Sequence, residues 1–389
     1  MLCLLVLVLS ASLVSVTNHA DGATGASSKR KKAAKAPRSL TTADRADPSI
    51  ARIPGGFVVL STGARVPRAT SANGLHFKDA GTALIRRPRW AKGGDMWASD
   101  MAQHRGRWLL YFAASVPGMK PSSHCIGVAE SPTATGAFVP NDERPLVCPP
   151  GNNVPEAEDQ FVDIARPTPV PTTPPVNPSA SGDPSPSATP TAPALPPLPP
   201  NPANAHGAID PSFTVIDGRP YLLYKTDGKP SSLRVLPLSA DGRHAAGKSR
   251  QLLRSPGVVE NPVLTRRGKY WYLFTSEGDY GGCRYRTVWR RALTPLGNWG
   301  AATPHVMLSL ARQGLCGPGG ADIVLRGKRQ LLYFHAWTCR GTRRACVAPL
   351  RAYSSREDFR RPTRALYGLR LGFTKRGFPT IDKWLTVRR

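Results

Sequence analysis

The chain has 389 residues, with 53 Lys and Arg against 25 Asp and Glu, a formal net charge of +28 and a mean hydropathy of −0.28. That length allows one large or two modest domains with a sizeable core, and after the first residues no segment is apolar enough to cross a bilayer. So basic a chain attracts polyanions, yet its charge is spread along the sequence without a basic helix, a zinc-finger spacing or an aromatic RNA-binding signature, which argues against nucleic acid as a partner.

In chain order, MLCLLVLVLSASLVSVTNHA (residues 1–20) is an apolar run followed by small and polar residues. It reads as a secretory signal peptide, being too short for a membrane span of roughly 20 apolar residues. A secreted, extracellular protein with no membrane attachment after cleavage is therefore expected. Residues 21–43, rich in Ala, Ser, Thr and Lys and containing SKRKKAAKAPR, read as a disordered basic tail. Residues 166–202 are a Pro, Ser, Thr and Ala tract with no core-forming pattern, expected to be disordered and extended. The segments on either side of this tract look alike, so it reads as an insertion within one domain covering 44–389.

The remainder is strand after strand. Short apolar runs such as FVVLST, WLLYFAAS, PYLLYKTD, YWYLFTS and QLLYFHAW are bounded by Gly, Asp, Asn or Pro, and amphipathic helical patterns are scarce. An all-β fold follows. The units beginning at Asp47, Ala98, Ile209, Val259 and Gly319 each show a polar or acidic entry, an apolar strand, a Gly-centred turn and an aromatic strand. Five such copies spell a five-bladed β-propeller, whose innermost strands line a central channel.

Of the seven Cys, Cys3 lies in the leader. The other six lack zinc-binding spacing and, in a secreted chain, suggest disulfides. Six cysteines allow 15 connectivities; local closure predicts Cys125–Cys148, Cys283–Cys316 and Cys339–Cys346.

The unit entries supply Asp47, Asp100, Asp210 and Glu260, with His335 at a polar strand end. Any one of these acids is an ordinary turn starter before Pro. As a set on converging strands they would crowd carboxylates together without sequence-adjacent cations, a costly arrangement suited to chemistry. Paired carboxylates fit glycoside hydrolysis, one protonating the leaving oxygen and the other activating water. Trp90 and Trp97 are candidate stacking faces for a sugar. Val258, Val259, Val263 and Leu264 would desolvate the Glu260 carboxyl.

Together DPSI, WASDM, AIDPSF…GRPYLLYKTDG, VENPVL…YWYLFTS and LLYFHAW, in that order, resemble glycoside hydrolase family 43, the five-bladed propeller group of arabinanases, arabinofuranosidases and β-xylosidases. The resemblance spans about residues 44–350 apart from the Pro tract. It implies Asp47 as the general base, Asp210 as the acid that tunes the general acid, and Glu260 as the general acid. It also implies an inverting reaction, with base and acid roughly 6.5–9.5 Å apart. Asp100, Trp90, Trp97 and His335 are expected to contact substrate. His335 is expected near a structural Ca2+ on the axis, acting through water because calcium prefers oxygen ligands; the chemistry itself requires no cofactor. The chain departs from the family pattern at Ser99, where Pro is usual, at Asn261, where Gly or Ala is usual, and at Gly320, where His is frequent.

No Gly-x-Ser-x-Gly elbow, P-loop, dinucleotide fingerprint or His-Glu-x-x-His is present. The acidic PEAEDQFVD (155–163) is a candidate calcium loop, with a solvated loop as the simpler reading. The expectation is a secreted inverting hydrolase of α-L-arabinofuranosyl linkages in arabinan or arabinoxylan, with plant cell-wall polysaccharide or oligosaccharide as partner and a monomeric state. A β-xylosidase and a non-catalytic carbohydrate- or cell-wall-binding propeller are the alternatives.

Overall fold

The computed structural model describes residues 36–117, 124–149, 156–161, 207–346 and 362–387. The signal peptide at 1–20, the tail up to residue 35 and the Pro-rich tract at 166–202 lie outside the described residues.

Among the described residues twenty strands form five four-stranded antiparallel sheets, each in sequence order from the axis outward. Blade one holds β1 (Ser49–Ile53), β2 (Gly56–Leu60), β3 (Pro67–Ser71) and β4 (Lys78–Thr82). Blade two holds β5 (Trp97–His104), β6 (Arg107–Ser115), β7 (His124–Ser131) and β8 (Val139–Pro140). Blade three holds β9 (Ala208–Ile216), β10 (Arg219–Thr226), β11 (Ser231–Pro237) and β12 (Arg250–Ser255). Blade four holds β13 (Val259–Arg267), β14 (Tyr270–Glu277), β15 (Arg286–Ala292) and β16 (His305–Leu308). Blade five holds β17 (Cys316–Arg326), β18 (Arg329–Thr338), β19 (Thr363–Phe373) and β20 (Pro379–Trp384). The fold is a five-bladed β-propeller.

The apolar runs are nearly continuous because each second strand is covered on both faces. Leu110 and Phe112 of β6 pack toward Val58 and Leu60 of blade one. Their alternates Leu109 and Tyr111 pack toward Leu222 and Tyr224 of blade three. The same division repeats in β14, where Trp271 and Leu273 face blade three and Tyr272 and Phe274 face blade five. A fifth cluster joins blades five and one through Tyr333, Leu366, Phe57 and Val59. One hydrophobic cluster therefore fills each inter-blade wedge. The tight inner hairpins keep the strands in register; at Arg105–Gly106 and Asp217–Gly218 both central residues have positive φ, as a type I′ turn requires.

Leu40 joins the wedge between blades five and one, and its N–H donates to Leu366 O at 2.7 Å. Arg45 N–H donates to Arg364 O at 2.8 Å. The expected disordered tail thus stops short of 43: Ser39, Leu40 and Thr41 are buried, held because Leu40 supplies apolar surface to an otherwise open wedge. The disulfides are Cys125–Cys148, Cys283–Cys316 and Cys339–Cys346, the local pairing expected. The acidic 155–163 segment, where described, is neither a calcium loop nor a solvated one. Asp159 is fully buried and accepts from the Tyr224 hydroxyl at 3.1 Å, while Glu158 accepts from Ala245 N–H at 2.7 Å, so both tie the segment to blade three.

Candidate active site

The inner strands carry the same irregularity five times. In β5, Trp97 pairs with Ala113 and Asp100 with Tyr111, so Ala98 and Ser99 stand opposite one residue. The equivalent two-for-one bulges fall at 210–211, 261–262 and 320–321. In blade one Thr62 N–H donates to Ala46 O and Ser49 pairs with Leu60, which places Asp47 and Pro48 at that position. The first bulge residue is left-handed in every blade: Asp47 (φ 48°), Ala98 (42°), Asp210 (56°), Asn261 (48°) and Gly320 (58°). Left-handed backbone is unfavourable for most L-residues and tolerated best by Gly, Asn and Asp; bulges of this kind re-aim side chains.

The five bulges surround one narrow axial cavity of about 30 Å³, lined by Asp47, Ser99, Asp210, Asn261 and Gly320 among others. That volume holds about one water, so any sugar must sit above it rather than in it.

This register corrects the reading of the unit entries. Asp47 and Asp210 are equivalent, but Glu260 precedes its bulge by one residue and Asp100 follows its own by one. Trp97 occupies in blade two the place that Glu260 has in blade four. Second-strand partners of this position are Thr62, Ala113, Lys225, Ser276 and His335. Three of them accept from the N–H of the next blade's bulge: Thr62 Oγ1 from Ala98 at 2.9 Å, Ser276 Oγ from Gly320 at 2.9 Å, and His335 Nδ1 from Asp47 at 3.0 Å. Lys225 has no lone pair to offer when charged, and between blades three and four Asp210 Oδ2 takes over, accepting from Asn261 N–H at 3.0 Å.

Asp47 is mostly buried and receives Thr62 Oγ1–H at 2.9 Å and Arg364 Nη1–H at 3.3 Å on Oδ2. Burial alone would raise its pKa, but Arg364, His335 once protonated at acid pH, and the Thr62 hydroxyl outweigh it, so the net shift is downward and the carboxylate is favoured. Asp210 is shifted the other way: burial, then the charges of Glu260 and Asp47, push it well above the carboxylate range against the opposing Lys225. Glu260 Oε2 accepts from Lys225 Nζ at 2.8 Å, and its Oε1 lies 2.7 Å from the Tyr285 hydroxyl. Burial disfavours the ammonium, yet Glu260 and Asp210 together hold Lys225 above its ordinary value. The carboxyl of Glu260 is therefore met by an ammonium and a phenol instead of the expected wall of Val258, Val259, Val263 and Leu264.

Tyr285 is placed by Cys283–Cys316, which ties its loop to the start of β17. A Cβ on Gly319 would fall 2.1 Å from the Tyr285 ring, so only Gly lets that ring lie against the inner strand. The same hydroxyl lies 2.8 Å from Asn261 Oδ1, which gives Asn261 two duties: its backbone N–H serves Asp210 and its side chain positions Tyr285. At Gly320 a Cβ would lie 2.7 Å from His335 Nδ1 and 2.9 Å from Asp47 Cα; with His335 present, no side chain fits there.

Burial pushes the His335 pKa down to about 4, so its 3.5 Å approach to Asp47 Oδ1 is a contact and not an ion pair. Because Nδ1 accepts from a backbone N–H, the neutral ring carries its proton on Nε2, which is buried with no hydrogen-bond partner among the described residues. That tautomer offers no lone pair to a cation. Among the described residues no group of three or more His, Cys, Asp or Glu is spaced for a metal ion. His335 therefore offers no direct ligand to the expected axial Ca2+.

Two other expectations are corrected. Trp90 is 4 % exposed, lies parallel to Phe112 at 6.2 Å and donates from Nε1 to Asn141 O, so it is wedge packing and not a sugar platform. Asp100 accepts from Ser49 Oγ at 3.0 Å and Phe213 N–H at 2.6 Å, which makes it a clamp between blades one, two and three rather than a substrate contact. Trp97 is half-buried at the axial end of β5, its ring 4.4 Å from His124. Thr62, Lys225, Tyr285 and Arg364 were missed from sequence. Lys225 carried a signal, as a lone cation inside the apolar run LLYKT; Arg364 lies beyond the span that the motifs covered.

The description Glycosyl hydrolases family 43 matches residues 37–147 and 187–353. The chain belongs to that family. This family 43 glycoside hydrolase has the fold of several solved structures. An exo-1,5-α-L-arabinanase from a bovine ruminal metagenomic library is 19 % identical with a TM-score of 0.58, over 87 % of this chain and 97 % of the other. A Cellvibrio cellulosa α-L-arabinanase complexed with arabinohexaose is 19 % identical with a TM-score of 0.59, over 89 % and 99 %. An endo-1,4-β-xylanase from Bacteroides thetaiotaomicron is 16 % identical with a TM-score of 0.56, over 90 % and 99 %.

Proposed function

We propose that this glycoside hydrolase is secreted, cleaves α-L-arabinofuranosyl linkages of arabinan or arabinoxylan with inversion, and acts on plant cell-wall polysaccharide as a monomer. The observation that carries the catalytic assignment is the opposed electrostatics of Asp47 and Asp210 at one axial mouth, with the Glu260 carboxyl coupled to Asp210. Asp47 is held toward its charged form by Arg364 and Thr62, Asp210 is held toward its neutral form, and Glu260 is hydrogen-bonded to Lys225 and Tyr285. Environments that push carboxyls apart are how acid and base roles are divided.

In this reading Asp47 Oδ accepts a proton from water as it attacks the anomeric carbon. Glu260 delivers a proton to the leaving oxygen from the opposite side, in the form of the coupled Asp210–Glu260 pair whose shared proton sits on Glu260. Asp210, the other member of that pair, orients the Asn261 backbone. Arg364 and His335 position Asp47, and Trp97 offers a rim for the sugar. Arabinofuranoside specificity is supported by the sequence resemblance and by the arabinanases among fold relatives; the xylanase among them keeps β-xylosidase as the second reading. Secretion is supported by the apolar leader and by three disulfides, which persist in oxidising compartments.

Chromogenic α-L-arabinofuranoside, β-D-xyloside and linear arabinan, assayed with the wild type and Glu260→Ala, test the proposal. Arabinoside turnover lost in the variant is expected. Xyloside turnover alone selects the second reading, and absence of activity on every pentoside removes the enzymatic proposal for these substrates.

A further inference from the structure

We propose that the propeller face opposite the carboxyl cluster binds an anionic polysaccharide of the polyuronate class, with one uronate seated in a cleft between blades five and one. Each inner strand runs from the axial acids to a tight turn, so the five inner turns lie together on the far face. Blade four places Arg266, Arg267 and Lys269 around its turn, and blade five places Arg326, Lys328 and Arg329. Arg52, Arg105 with Arg107, and Arg219 stand at the other three turns. All ten cations are exposed, and the one acid in these turns is Asp217. Among the described residues only Arg107 of the ten meets a carboxylate, Glu130 at 3.2 Å. Charge that is dispersed along the sequence is thus gathered on one surface, as electrostatic capture of a polyanion requires.

A built site adjoins this surface. Arg326 and Arg329 of the blade-five turn, with Arg370, Lys383, His76 and Trp384, line a cleft of 410 Å³. That volume lies in the roughly 300–1,000 Å³ range of small-ligand sites. Guanidinium groups pair bidentately with carboxylates, and Leu75, Leu331 and Leu385 floor the cleft between blades five and one. Arg370 also pairs with Asp382, which leaves Arg326, Arg329 and Lys383 as the cations for an incoming carboxylate.

Other polyanions fit less well. Trp271, Tyr270 and Phe373 already lie beneath Arg266, Lys269 and Arg267 at 5.6, 5.4 and 4.3 Å, so they are not free platforms for nucleic-acid bases. The exposed apolar residues of the inner strands on this side, Val215 and Leu325, stand singly and form no patch for a lipid surface. The choice of a polysaccharide among polyanions rests on the cell-wall substrate proposed above; the site itself does not.

The test is binding of the full chain to polygalacturonate and to trigalacturonate, with neutral linear arabinan, single-stranded DNA and phosphatidylserine vesicles as comparators. The wild type is expected to prefer polygalacturonate, its log affinity falling linearly with log salt. Arg326→Glu with Arg329→Glu should weaken both galacturonate ligands about tenfold or more. Arg266→Glu with Lys269→Glu should weaken only the polymer, and Lys383→Gln should weaken trigalacturonate. Thermal melts establish that each variant is folded; the substituted cations of the turns are exposed and remote from the wedges, so the test stays decisive. Lack of polygalacturonate binding by folded wild type at low salt, equal binding by the Arg326 and Arg329 variant, or tighter binding to DNA or vesicles overturns the proposal. Arabinoside hydrolysis without polyuronate binding sinks this inference alone, and polyuronate binding without pentoside hydrolysis sinks the enzymatic reading alone.

Discussion

Lys225 Nζ lies 2.8 Å from Glu260 Oε2, an ion pair formed between blades three and four with both side chains almost fully removed from solvent. Removing one partner of a buried pair leaves an uncompensated charge and costs about 3 kcal/mol or more. Lys225→Met is therefore expected to lower stability at neutral pH by about that much, and Lys225→Met in a Glu260→Gln background by clearly less. Urea unfolding of the double-mutant cycle measures the difference. Equal losses in both backgrounds would show that Lys225 packs but does not pair.

Asp210 has a folded-state pKa raised by burial and by Glu260 and Asp47. A raised carboxyl contributes stability that is fully present below its unfolded pKa and is lost as pH rises toward the folded value. Asp210→Asn keeps an acceptor for the Asn261 N–H while removing the buried acid. It should melt higher than the wild type at neutral pH, differ little near pH 4, and hydrolyse substrate far more slowly. Thermal melts at both pH values check the sign.

Asp322 provides a second case below the bulges. It accepts from Ile50 N–H at 2.7 Å, and burial, then Asp100, pushes its pKa up to about 8. By the same linkage the wild type should lose stability between about pH 4 and pH 8. Asp322→Asn should flatten that slope in urea titrations across the range, and an unchanged slope would contradict the assignment.

His335 commits its Nδ1 lone pair to the Asp47 N–H and is held neutral by burial. Its depressed pKa contributes stability that is present above about pH 6.5 and lost as pH falls toward about 4. With Nε2 protonated the ring is a poor cation ligand. Nitrogen NMR of the imidazole is expected to show Nε2 protonated at neutral pH, with or without Ca2+, whereas an unprotonated Nε2 would contradict the tautomer drawn from the geometry.

The propeller was legible because the repeat is written twice in each unit, as a Gly turn and as an apolar run filling two wedges at once. Asp47, Asp210 and Glu260 were legible as acids before or near Pro. Their different ranks along the inner strands were not, because a two-for-one bulge changes facing without leaving a fixed residue type: the five left-handed positions are Asp, Ala, Asp, Asn and Gly. Asp100 was misread for that reason. Trp90 was misread because an aromatic gives the same sequence signal whether it stacks on a sugar or on Phe112. Lys225 and Tyr285 reach Glu260 across 35 and 25 residues of chain, separations that no local pattern encodes.

The most direct measurement of the central claim is the anomer first released from a linear α-1,5-arabino-oligosaccharide, followed by proton NMR before mutarotation, for the wild type and Glu260→Ala. The proposed inverting reaction predicts β-L-arabinofuranose first from the wild type and no release by the variant. Release of the α anomer first, or the same rate from Glu260→Ala, would contradict the assignment of Asp47 and Glu260 as base and acid.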